Sequence, residues 1–270
     1  MTSVPTSLSN SLLWIPHKDL TDKIPCSYFQ NKDSNLLMIY SHDATSKNDS
    51  FENQTKLFFS KNLTKWNVNV LFWEINTLTQ KIIDQHLQII YHFATETLKY
   101  SPYNIILYGY AIGTGPTCQL ANKVSDKIAG LILHCPFTTF DETKIGGEPT
   151  ESHARSLSQD SQAFPPLFLK RGVWDNTDLI KKIKTPLLII QGGLDSLIPC
   201  DHGKQIYHCS SASDKTLYRS DKFDHFKSIN FDSVSEYIAI FLKNSANSFL
   251  FDKNQPIAPN QSYFEQPQQI

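Results

Sequence analysis

The chain has 270 residues, of which 40% are hydrophobic and 19% charged, enough to bury one sizeable core in a single domain. Its formal net charge of −1 gives no long-range attraction to nucleic acid or to an anionic membrane surface. Five cysteines (Cys26, Cys118, Cys135, Cys200, Cys209) are odd in number and unclustered, which argues against a disulfide scaffold and for a reduced, cytoplasmic setting.

Residues 1–11 read as a flexible amino terminus with no stretch of signal-peptide length, no glycine for myristoylation and no cysteine for acylation. Leu12-Leu13-Trp14-Ile15-Pro16 is an apolar pentamer expected to pack on the domain. Residues 36–40 and 68–73 are apolar runs of strand type. Between Thr77 and Lys99, the residues Ile83, Leu87, Ile90, Ala94 and Leu98 recur at spacings of three and four. They predict an amphipathic helix covering one face of a sheet. No run approaches the ~20 apolar residues needed to span a bilayer, so membrane contact is expected to be peripheral at most.

Residues 104–108 form another buried-strand run and lead into Gly109-Tyr110-Ala111-Ile112-Gly113. Residues 116–124 then read as a helix that starts near a proline, a permitted first-turn position. Strand, glycine-flanked turn and helix are the setting of the G-x-S-x-G nucleophile elbow of serine hydrolases, with alanine in place of serine. The flanking glycines let helix and strand approach, and the central residue is commonly forced toward positive φ. Thr114 and Cys118 follow closely, but both sit too far into the helix to replace the missing hydroxyl.

A further strand is expected near Leu131, followed by residues 139–178, where glycine, proline, serine and charge interrupt the alternation as a lid or cap does. Phe164-Pro165-Pro166-Leu167-Phe168-Leu169 is its apolar part. Residues 185–190 are a β-branched strand ending in Gly192-Gly193-Leu194-Asp195, which makes Asp195 the candidate acid. The loop after a strand near Leu217 carries Asp224-His225-Phe226, ahead of a helix around residues 233–242, and His225 is the candidate base. In an intact triad the base takes the serine proton while the acid fixes its tautomer. Here the base and its orienter have nothing to deprotonate. Cys200-Asp201-His202 and His208-Cys209 lack a recognised zinc spacing, so no metal and no cofactor is expected. Residues 243–270, rich in Asn, Gln and Pro, read as a disordered tail.

The runs at 105–115, 129–138 (AGLILHCPFT) and 183–203 (IKTPLLIIQGGLDSLIPCDHG) resemble the α/β-hydrolase fold, and within it the alpha/beta hydrolase domain-containing 17 type of protein depalmitoylases. These serine hydrolases cleave palmitoyl thioesters from protein cysteines. The resemblance spans residues 12–242, strongest from Ile105 onward. It implies a mostly parallel central sheet with helices on both faces and a small lid insertion. It places Ala111 at the nucleophile position, Asp195 and His225 as its partners, and the oxyanion hole at the Ile112 backbone and the loop Ser41-His42-Asp43-Ala44. Two departures stand out: Asp43 replaces a glycine in that loop, where a carboxylate opposes a developing oxyanion, and residues 74–77 lack the family's glycine-rich tyrosine motif.

The expected function is therefore that of a pseudoenzyme which binds an acylated protein, a small apolar acyl ligand or a protein partner. The rival is an active acyl-protein thioesterase or esterase, which holds if Ala111 is an introduced substitution.

Overall fold

The strands follow from where apolar residues run without interruption. In a computed structural model, residues 10–16, 23–43, 49–75, 79–124, 127–140, 173–227, 232–247 and 251–265 are described. Among them are β1 (Asn10–Ile15), β2 (Ile24–Phe29), β3 (Leu37–Asp43), β4 (Asn69–Ile75), β5 (Ile105–Tyr110), β6 (Gly130–His134), β7 (Leu187–Gly192) and β8 (Lys215–Ser220). They form one sheet in the order β1-β2-β4-β3-β5-β6-β7-β8. β1 and β2, and β2 and β4, pair antiparallel, and every later pairing is parallel. Every residue of β5, β6 and β7 is buried, so helices cover both faces of the sheet centre. β8, at the edge, is mostly half-exposed.

Among the described residues the α-helices are α1 (Asp49–Trp66), α2 (Gln80–His92), α3 (Thr114–Val124), α4 (Asn176–Ile180), α5 (Asp201–Cys209) and α6 (Asp232–Ala246). The stripe Ile83, Leu87, Ile90, Ala94 and Leu98 is buried as its spacing predicts, with a π-helical turn (Phe93–Thr97) closing α2. α1 was not anticipated. It buries Phe51, Phe58, Phe59, Leu63 and Trp66, and the Trp66 indole donates to the Ser235 carbonyl of α6 at 3.0 Å. The amino-terminal pentamer supplies β1, where Leu13 and Ile15 are buried while Leu12 is 46% exposed.

Order does not stop at residue 243. α6 runs to Ala246, and residues 251–265 dock on the domain. Buried Asn104 both accepts from the Asp252 amide (2.8 Å) and donates to its carbonyl (2.6 Å), and the Ile257 amide donates to Leu98 O (2.7 Å). The Tyr263 ring meets Phe93 at 5.0 Å. Polar composition suggested disorder, but Phe251, Tyr263 and Phe264 are spaced through the segment and pack against the core. At the other end, β1 includes Asn10 and Ser11 of the segment 1–11 expected to be flexible, whose remaining residues lie outside the described ones. Residues 141–172 of the expected lid, with its apolar run 164–169, lie outside the described residues, whereas its last part forms α4 behind buried Val173 and Trp174.

Candidate active site

Three strand ends meet at the carboxyl edge of the sheet, where open α/β sheets place their sites. β5 ends at Tyr110 in extended backbone (φ −116°), and Ala111 then turns to φ +50°, the left-handed region that L side chains avoid. A short 3₁₀ turn (Ala111–Gly113) leads into α3. The glycines are sterically required: a Cβ on Gly113 would lie 2.0 Å from Ser41 O, and one on Gly109 would lie 2.7 Å from Gly113 O. The Thr114 hydroxyl donates to Ala111 O at 2.6 Å, and the Cys118 thiol is buried, with its pKa pushed up by desolvation. Neither supplies an available nucleophile.

Asp195 and His225, 30 residues apart, are brought together: His225 Nδ1 donates to Asp195 Oδ2 at 2.7 Å. They are 6% and 4% exposed. Asp195 Oδ1 accepts from the amides of Leu197 (3.0 Å) and Ile198 (2.8 Å). Burial alone would raise the Asp195 pKa. The His225 bond and charge, the Ile198 amide and the Cys135 thiol outweigh it and hold the carboxyl below its ordinary range. Leu194 (59% exposed) and Phe226 (39%), adjoining the acid and the base, are solvent-facing apolar residues.

Two neighbours of this pair were not singled out from sequence. Cys135 follows β6 at φ +48°, fully buried, with its thiol within 4.8 Å of a carboxylate oxygen of Asp195. Tyr110 donates from its hydroxyl to the His225 carbonyl, tying the strand that carries Ala111 to the loop that carries His225. Ligand-type atoms of Cys135, Asp195 and His225 lie within 4.8 Å of one another, but hydrogen bonding to one carboxylate accounts for the grouping, and a metal would have to displace those donors. In the other cluster, His202 Nδ1 is engaged by the Thr138 hydroxyl at 2.7 Å.

Of the expected oxyanion positions, Ile112 is buried in the elbow turn and Asp43 is the last residue of β3, in register with Ile75. Ser41 of β3 pairs with Gly109, so this strand end abuts the elbow. Ala44 lies outside the described residues.

The fold has counterparts among solved structures. An esterase of Pyrococcus furiosus superposes with a TM-score of 0.64 at 18% identity, covering 89% of this chain and 92% of that one. The esterase domain of a Rhodothermus marinus protein gives 0.61 at 11%, covering 89% and 98%. The chain has the α/β-hydrolase fold. This α/β-hydrolase-fold chain is also 30% identical over 129 residues to alpha/beta hydrolase domain-containing protein 17C of Xenopus tropicalis, covering 48% of the chain and 36% of the relative. It is 34% identical over 111 residues to human alpha/beta hydrolase domain-containing protein 17B, covering 39% and 30%. The chain thus spans about a third of the length of the curated relatives it matches. No family model matches it.

Proposed function

We propose that this α/β-hydrolase-fold chain is a pseudoenzyme of the serine-hydrolase kind that holds an acylated protein or a small apolar acyl ligand without turning it over. The observation that carries this reading is Ala111 at the elbow, at φ +50° beside an intact Asp195–His225 pair. Loss of the serine of a triad enzyme lowers kcat roughly a million-fold and leaves about a thousand-fold over water, which depends on the oxyanion hole. Asp43, the last residue of β3, stands where the resembled family has a glycine, and a carboxylate at that position opposes a developing oxyanion. The ligand class comes from the resemblance to depalmitoylases, and exposed apolar Leu194 and Phe226 beside the pair suit an acyl chain. No described helix is long and apolar enough to cross a membrane, consistent with a cytoplasmic protein making peripheral contact.

The second reading is an active acyl-protein thioesterase in which alanine at 111 is an introduced change. The hydrogen-bonded Asp195–His225 pair favours it, because a binding protein has no need of an oriented base. Hydrolysis of a short acyl thioester by the chain and by Ala111→Ser, side by side, separates the two. We expect no turnover by the chain as it stands. Turnover restored in Ala111→Ser assigns a working oxyanion hole and supports the thioesterase reading, whereas inactivity of both supports binding alone. Turnover by the unaltered chain would overturn the pseudoenzyme.

A further inference from the structure

His225 is held at two points by two different strands. Its ring is fixed by Asp195, which follows β7, and its main chain by the hydroxyl of Tyr110, the last residue of β5. A ring hydrogen bond alone leaves the loop free to tilt about that bond. A second anchor on the peptide removes this freedom. Tyr110 is 3% exposed and is itself wedged: its ring meets His134 edge-on at 4.8 Å, Phe51 at 5.5 Å and His225 at 5.5 Å. His134 is fixed in turn, with Nδ1 2.7 Å from the Tyr108 hydroxyl. Burial, helped by the neighbouring His225, pulls the His134 pKa down to about 3, so this wedge stays neutral.

Tyr110 is also the residue immediately before Ala111. We infer that Tyr110 is a positioning residue that sets His225 in register with the elbow, through the hydrogen bond from its phenol to the His225 carbonyl. This rests on the reading of Asp195 and His225 as the acid–base pair of a hydrolase site. The phenol touches no reacting atom and acts only through the histidine. A link of this kind makes the separation of base and elbow independent of the surface loop in which the base sits.

The test compares Tyr110→Phe with Tyr28→Phe, a β2 residue whose buried hydroxyl lies 3.2 Å from that of Tyr100. Each removes one buried hydroxyl and keeps its ring, but only the first touches His225, so a general loss of stability is common to both. The first readout needs no turnover: proton NMR of the His225 Nδ1–H bonded to Asp195, with the imidazole pKa taken by titration. Tyr110→Phe should broaden that resonance, speed its solvent exchange by about tenfold or more through local opening, and shift the pKa, while Tyr28→Phe leaves all three unchanged. The second readout repeats both changes in an Ala111→Ser background. There Tyr110→Phe should lower kcat about ten- to a hundred-fold with KM nearly constant, the usual penalty for a slightly misplaced reacting group. The inference is overturned if the His225 resonance and pKa in Tyr110→Phe match the parent, or if Tyr28→Phe moves them equally. A shifted resonance with no activity in Ala111→Ser would leave the positioning role standing and remove the catalytic reading beneath it.

Discussion

Alanine at φ +50° is a poor choice on backbone grounds, since left-handed geometry costs an L residue roughly 1–2 kcal/mol. It persists because the glycine contacts on either side leave the chain no other route from β5 into α3. The Asp195 carboxylate is better served: two backbone amides and the His225 imidazole donate to it, and the Cys135 thiol lies beside it. Cys135 therefore does more than fill space. We expect Cys135→Ala to lose about 1–2 kcal/mol at neutral pH, combining a vacated volume with a lost donor. Cys135→Ser, which keeps a hydroxyl donor, should lose clearly less. Urea unfolding midpoints decide it, and equal losses in the two variants would reduce Cys135 to packing.

At the scale of elements, the elbow depends on β3 as much as on β5. A methyl group on Gly113 would occupy the space of Ser41 O, so Gly113→Ala must push strand and turn apart. The expected loss is about 1–3 kcal/mol, the usual cost of overpacking, read as a lower melting temperature. Unchanged stability would mean that the elbow does not sit against β3. The inner parallel strands were legible in the sequence because strands buried on both faces appear as unbroken apolar runs. β2 was not, since Pro25 and Ser27 break its run, nor was α1, whose buried Phe51, Phe58, Phe59, Leu63 and Trp66 follow a helical period diluted by Asn, Thr and Lys. Thr55, fully buried among them, takes a place where an apolar residue would have exposed the pattern. The pairing of Asp195 with His225 could be anticipated from chain order and strand context. The Tyr110 contact could not, because its acceptor lies 115 residues away and no local pattern marks it.

For the molecule as a whole, two carboxyls, buried Asp195 and half-buried Glu74, pull stability in opposite directions with pH. Asp195, with its pKa depressed in the fold, contributes stability above its unfolded value that is lost as pH falls through the folded one. Glu74 does the reverse. Burial and a hydrogen bond to Glu52, only partly offset by Lys56 at 3.5 Å, raise its pKa from 4.5 to about 7, with His42 3.9 Å away on β3. Below about pH 4.5 the group is neutral in both folded and unfolded chains and costs nothing. Between there and about pH 7 the unfolded chain ionises first, and the fold loses stability. Glu74→Gln imitates the neutral acid at every pH. It should therefore match the parent near pH 4 and exceed it progressively up to pH 7 by about 1–3 kcal/mol, reduced from the full value of such a shift by partial exposure. Denaturant unfolding of both chains across this range measures the difference. A gap that stays constant with pH would show that Glu74 titrates normally and that the Glu52–Glu74 contact holds no proton.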